Sequence, residues 1–546
     1  MSNAQAGTFL EAGSGPQHSS EQGLSGVIGH GVESGALALG MTVVLGWLIA
    51  RALRRARLSW TWALLGLPAG YLVGGLLVGR WPIWIVSVIA AAKGSRLHDA
   101  DIAAGGGSAQ VARSRDGVSA LLGSWNIPRL RTQEVWITGG RLTVGRTSRT
   151  GRARIPVGEA SGKHTLVVGA TGSGKTVTQA WIAGRMIESG HGAVVIDPKG
   201  DELLRAELKS AAARRGAPFV EWSPEGPVAY NPYARGSATE IADKALAGEQ
   251  FTEPHYLRQA QRYLGHTVRA MHGAHVDVTP LSLMEHMNPR QLEATARLQP
   301  DEEPEETQRY LDELTDRQKR DLSGIRDRLS ILAESDVRQW LGNPSEGAGL
   351  DIQQAVAMRA VVYFRLESDL RPLLSQILAA AIVSDLITLS ARQQQSPVPT
   401  LVMIDEFAAV AAAHISKLFG KARTAGISLL LGTQEFADLQ AVGAALKEQT
   451  IGNLDALVAH RQNVPQSAEL IAKMSGTQEA WIPTEQTESG WLGTRHSGKG
   501  TRRRGEEFRV HPNQIMQLRT GNAVVLTPGT GTPVIASMLH PTHASP

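Results

Sequence analysis

Residues 164–176 read HTLVVGATGSGKT. His164–Gly169 has the apolar, β-branched character of a buried strand, and TVTQAWIAGRMI, from Thr176 onward, has that of a helix. Between them Gly169-Ala170-Thr171-Gly172-Ser173-Gly174-Lys175-Thr176 fits GxxxxGK[ST]. Glycines in such a loop let the backbone close around phosphate oxygens with several N–H groups pointing inward. Lys175 is placed to reach β and γ phosphates, and the Thr176 hydroxyl to ligate Mg²⁺. Strand, loop, lysine and helix in this order predict a triphosphate site on an α/β fold.

Such a loop needs an acidic mate at the end of a buried strand, and TLVMIDE at 400–406 supplies it. Asp405 is expected to hold Mg²⁺, directly or through water, and Glu406 to orient or deprotonate the attacking water. A third apolar strand, Ile427–Leu431, runs into Gly432-Thr433-Gln434. Beside the Asp405 strand, Gln434 would contact the γ-phosphate or the water.

Working outward, short β-branched runs alternate with helical stretches at His164–Gly169, Ala193–Asp197, Ala360–Phe364, Leu401–Asp405, Ile427–Gly432, Ala456–His460 and Ala523–Leu526. This alternation predicts a mostly parallel sheet flanked by helices, a P-loop nucleotide-binding domain over 126–232 and 343–540. Residues 233–342 lack strand patterns and read as an inserted all-α subdomain. Its acidic block Asp301–Glu306 reads as a solvated loop, and the C-terminal LHPTHASP as a disordered tail. Arg502-Arg503-Arg504 follows Gly- and Ser-rich residues and reads as a solvated loop, with a DNA-channel loop as the alternative.

Residues 1–34, rich in Gly, Ser and Gln, read as a disordered tail. The region 35–95 carries apolar runs at Gly35–Ala50, Ser59–Gly79 and Trp81–Ala92, the second about as long as the roughly 20 residues a bilayer requires. Arg51, Arg54, Arg55 and Arg57 follow the first run, an order unlike a secretory signal peptide. Two or three transmembrane helices are expected, with the Arg cluster cytoplasmic. A linker follows at 96–125, with Gly-Gly-Gly at 105–107.

Composition sets the outer bounds. The 546 residues are 42% hydrophobic and 19% charged, which excludes a disordered or collagen-like chain. There is no cysteine, so disulfides, thiolate metal sites and thiol nucleophiles are excluded. A formal net charge of +4 is too small to establish nucleic-acid binding by itself.

These motifs together resemble the FtsK/HerA superfamily of motor ATPases, and within it the TraD/TraG-type coupling proteins of conjugative type IV secretion. The resemblance rests on GATGSGKT at 169–176, VVIDPKGD at 194–201, Trp222-Ser-Pro with Tyr230-Asn-Pro, LVMIDEF at 401–407 and GISLLLGTQ at 426–434, over roughly 140–535. It implies a RecA-like fold, ATP and Mg²⁺ as cofactors, and a site between neighbours of a hexameric homo-oligomer. It further implies that Arg423 reaches the neighbour's site as a finger, with Arg461 as the second candidate. Lys199 and Asp201 would support the site. Partners would be DNA without strong sequence preference, relaxase, secretion-channel components and the inner membrane, crossed more than once with the ATPase domain in the cytoplasm. The family's periplasmic domain between two membrane helices has no counterpart here. A double-stranded DNA translocase and a non-motor docking receptor using ATP for assembly are the alternatives. Leu322-Ser323-Gly324 lacks the rest of a transporter signature and precedes LVMIDEF, so that class is rejected.

Overall fold

A computed structural model describes residues 136–147, 151–158, 161–248, 253–299, 303–343, 349–410, 412–490, 493–529 and 531–544. The expected N-terminal tail, membrane helices and linker lie outside the described residues. Nearly all of the described chain belongs to one compact unit, Arg131–Thr484 with Thr501–Pro546.

Its frame is a sheet of twelve strands. In chain order these are β1 (Ile137–Thr138), β2 (Arg141–Arg146), β3 (Arg152–Pro156), β4 (His164–Val168), β5 (Gly192–Asp197), β6 (Phe219–Trp222), β7 (Val361–Arg365), β8 (Thr400–Ile404), β9 (Ile427–Thr433) and β10 (Ala456–Ala459). β11 (Thr477–Gly490) and β12 (Gly493–Phe508) pair with each other in a separate ribbon, and β13 (Asn522–Leu526) and β14 (Val534–Met538) complete the sheet. Along the sheet the order is β1-β2-β14-β13-β10-β4-β9-β8-β5-β7-β6, with β3 on β2.

The seven strands from β10 to β6 are parallel. The central ones are buried throughout and mostly apolar because helices cover both faces, as in β4, β8 and β9, where every residue is buried. The expected strands all form. β13, β14, β2, β3 and β1 add an antiparallel extension, so the sheet is mixed rather than mostly parallel across its width.

Each face carries its own core. Trp181, Ile182 and Ile187 of the helix Lys175–Glu188 pack with Leu142, Ile155 and Val195 on one side. The other core runs from Leu166, Val194 and Ile404 through the helix Pro372–Arg392 into the helices of residues 238–333. Between β6 and β7 the described residues form helices and one isolated bridge, with no further strand. Among the described residues, one helix, Pro372–Gln395, is long and apolar enough to cross a membrane, yet 67% of its most apolar window is buried within the protein. Its Leu378, Ile382 and Val383 are fully covered, the condition of a core helix.

Three local readings change. A helix begins inside the acidic block, at Glu303, where carboxylates favour the positive end of the helix dipole. The Arg502–Arg504 run lies on β12 instead of a loop, and the Arg504 guanidinium stacks 5.1 Å over the Trp481 ring. In the C-terminal tail Leu539 is buried and Pro541–Ala544 forms a 3₁₀ turn, so those residues are ordered.

Candidate nucleotide site

Parallel pairing puts the C-terminal ends of β4, β5, β8 and β9 along one edge of the sheet, where four loops converge. The loop after β4 runs into the helix starting at Lys175, with Gly172 and Gly174 at φ 73° and 103°. A side chain in that left-handed region is strained, so both positions call for glycine. At Gly169 a Cβ would fall 2.6 Å from both His460 Cβ and Ser173 Oγ.

The loop is clamped from three strands. Gly169 N donates to Thr433 O at 3.3 Å, and Ala170 N to Arg461 O at 3.0 Å. From the turn before β13, Gly521 N donates to Ser173 O at 3.0 Å, and Thr520 Oγ1 to Gly172 O at 3.2 Å. The antiparallel extension therefore acts directly on the phosphate loop, which its sequence had not signalled.

Lys175 Nζ lies 3.1 Å from Asp405 Oδ1 and also bonds Glu406 Oε1. Lys199 Nζ reaches the same Glu406 oxygen at 3.3 Å. Lys175, Asp405 and Glu406 are each at least 91% buried, so two adjacent carboxylates depend on these cations for neutralisation. Burial raises the Asp405 pKa, against attraction from Lys175. For Glu406 burial pushes upward too, but Lys175 and Lys199 outweigh it and hold the carboxyl below its ordinary value. The two carboxyls are thus pushed in opposite directions, with Glu406 held as the anion. Glu406 also sits at φ 49°, a left-handed conformation that is strained for a side-chain-bearing residue. Gly432 permits the close fit: a Cβ there would lie 2.4 Å from Asp405 Oδ1 and 2.5 Å from Gln179 Nε2.

The loop after β5 brings in Lys199. Asp197, fully buried, accepts from Lys199 N and Gly200 N at 2.9 Å each, from Asp201 N at 2.7 Å and from Tyr363 Oη at 2.6 Å. Asp201 then caps the next helix by accepting from Leu204 N at 2.9 Å. The DPKGD motif thus folds its own loop through Asp197 and points Lys199 at Glu406.

Gln434 meets the phosphate loop through its side-chain oxygen, 3.1 Å from Thr171 Oγ1. His460, unmarked by the sequence reading, lies under the loop with Nε2 3.0 Å from Thr178 Oγ1, and burial lowers its pKa to about 4. The signal available for it was its place at the end of β10. Arg461 is half-buried, its Nε without a hydrogen-bond partner among the described residues. Arg423 does not join the cluster within the chain. It bonds Asp455 at 3.1 Å and Asn453 O at 2.6 Å, beside the N-terminal ends of β9 and β10 and so at the opposite edge of the sheet from Lys175.

Among the described residues no three His, Asp or Glu side chains form a metal cage. The donors beside Lys175 are the Thr176 hydroxyl and the Asp405 carboxylate, hard oxygens that suit Mg²⁺, which keeps waters and binds jointly with substrate phosphates.

A glycine-turned, clamped phosphate loop facing an Asp-Glu pair at the C-terminal edge of a mixed sheet defines a P-loop nucleotide-binding fold. The family model described as "Type IV secretion-system coupling protein DNA-binding domain" matches residues 151–539, and the chain belongs to that family, a TraD/TraG-type P-loop coupling protein. A comparison with curated protein sequences finds no match. Among solved structures, the conjugative coupling protein TrwB in an unbound form superposes with TM-score 0.54 at 16% identity, over 73% of this chain and 88% of that one. TrwB with the non-hydrolysable GTP analogue GDPNP gives 0.53 at 18%, over 75% and 95%. TrwB with ADP and Mg²⁺ gives 0.53 at 17%, over 70% and 87%.

Proposed function

We propose that the protein is a membrane-anchored ATPase that couples ATP hydrolysis to moving DNA, or DNA with attached relaxase, into a type IV secretion channel. The observation that carries this reading is Lys175 against Asp405 and Glu406 in a chain of the coupling-protein family. Gly169–Thr176 would bind ATP, with Thr176 and Asp405 holding Mg²⁺, which supplies charge neutralisation at the phosphates when bound. Lys175 leaves the carboxylates for the phosphates. Glu406, kept anionic by Lys199, orients the attacking water and takes its proton. Gln434, on Thr171, links the loop to the γ-phosphate position.

Arg423, remote from its own site, is assigned to the neighbouring site of a hexameric ring. Anchoring rests on the apolar runs at Gly35–Ala50 and Ser59–Gly79, because the apolar helix Pro372–Gln395 is a core element. The ATPase domain is then cytoplasmic at the inner membrane.

The test is phosphate release by the full chain with and without DNA. Stimulation by DNA supports the motor, and the stronger of single-stranded or duplex DNA identifies the substrate. Turnover indifferent to DNA, with transfer surviving Lys175→Ala, would leave a docking receptor instead.

A further inference from the structure

The antiparallel extension of the sheet is one-signed. Residues 135–158 and 508–546 hold seven arginines and no Asp, Glu or Lys, while the rest of the chain carries more acid than base. Folding gathers four of the seven onto the β2–β3 ribbon. Its register sets Arg146 opposite Arg152, Thr143 opposite Arg154 and Arg141 opposite Pro156. Cross-strand partners share a face, so Arg141, Arg146, Arg152 and Arg154 all lie on one side. The intervening Leu142, Ala153 and Ile155 are at most 1% exposed and belong to the core on the other side.

Arg152 is exposed, Arg141 and Arg154 are half-buried, and these three have no carboxylate partner among the described residues. Like charges opposite one another weaken an antiparallel pair. Such a row suits a linear polyanion: Arg152 and Arg154 repeat about every 6.8 Å along the strand. A lipid surface would ask for apolar side chains beside the charges. The ribbon turns its own inward, and Ile535, 39% exposed, is the one exposed large apolar residue among the described residues of β1–β3, β13 and β14.

We propose that the outer face of the β2–β3 ribbon is a contact surface for the phosphate backbone of DNA. It rests on the reading of the chain as a DNA motor and says where the strand bears on it. Contacts of this kind read charge and not base sequence, and they show in the salt dependence of binding.

The experiment uses the full chain in detergent, a fluorescent single-stranded oligonucleotide and its duplex, and the pair Arg152→Gln/Arg154→Gln. The slope of log affinity against log salt should become shallower by about 1.4 for the single strand and about 1.8 for the duplex. Single-strand affinity at 0.1 M salt should fall roughly 25-fold, taking the affinities to converge near 1 M. Arg152→Lys/Arg154→Lys should keep the wild-type slope. DNA-free ATP turnover and melting temperature should stay at wild-type values in both variants, which separates lost contact from lost fold. An unchanged slope in the Gln variant overturns the inference. Loss of binding to phosphatidylglycerol vesicles with DNA binding intact, or a changed oligomeric state, overturns it in favour of a lipid or a second copy. Wild-type chain that binds DNA without any ATP turnover would sink the motor reading and leave this surface standing.

Discussion

Lys175 Nζ lies 3.1 Å from Asp405 Oδ1, so the cation of the phosphate loop is already neutralised inside the chain. On the proposed reading an incoming triphosphate takes Lys175 from Asp405 and Glu406, which frees the carboxylates for their own work. Lys175→Ala would remove the proposed phosphate contact and leave the buried pair with Lys199 alone. Phosphate release should fall at least about 100-fold, the scale for losing one electrostatic contact to transferring charge. Binding of a fluorescent ATP analogue should weaken in parallel.

Lys199 should act on turnover more than on binding. It bonds Glu406 at the oxygen that Lys175 shares, so it remains when Lys175 turns to phosphate. Lys199→Met should lower kcat about 10- to 100-fold with KM nearly unchanged, less than the roughly 10²–10⁴-fold a positioned general base supplies, because Glu406 is displaced and not removed. Lys199→Arg should recover part of the loss. Equal losses in kcat and in nucleotide affinity would instead make Lys199 a binding residue.

The parallel half of the sheet, its edge strand β6 apart, was legible in sequence because those strands are buried on both faces and carry largely apolar runs, as Leu401–Ile404 does. The short strands β1 and β6 and the arginine-rich β3 lack such runs, and β14 alternates buried and open positions, so they passed unseen. Local pattern located Lys175, Asp405 and Glu406. It gave no sign of the contacts made across long sequence separation, such as Thr520 on Gly172 or His460 on Thr178. Lys199 stood in a recognised motif, but its direction depends on the Asp197 turn, which only the fold supplies.

Gly432 is a sharp steric test. Gly432→Ala puts a methyl 2.4 Å from Asp405 Oδ1 and 2.5 Å from Gln179 Nε2. Overpacking of this kind costs about 1–3 kcal/mol. Both a lowered melting temperature and slower hydrolysis are expected, because the displaced group is Asp405 itself. A stable variant with full activity would mean that the strand gives way easily.

His460 sets a pH signature. Burial lowers its pKa to about 4, whereas the unfolded chain titrates near 6.5. Between those values the unfolded state binds the extra proton, so stability rises with pH through the window and is lost as pH falls below about 6.5. His460→Gln should flatten the stability curve between pH 4 and 6.5 by roughly one proton's worth relative to wild type, read from melting temperatures. Curves that stay parallel would mean His460 is charged in the folded chain.

Arg423 separates a ring motor from an isolated subunit. In the chain itself its bond to Asp455 is partly exposed and, like other exposed pairs, is worth about 1 kcal/mol or less to stability. Arg423→Ala should therefore melt close to wild type. If the residue completes a neighbour's site, hydrolysis should still fall about 10³-fold or more. The decisive measurement mixes subunits. Lys175→Ala chains lack a working loop but keep the arginine, and Arg423→Ala chains have the reverse. Co-assembled, they should regain hydrolysis that neither shows alone, because some interfaces pair an intact loop with an intact arginine. Activity that stays at the level of the separate variants would remove Arg423 from the reaction and shift attention to Arg461, whose backbone already touches the phosphate loop at Ala170.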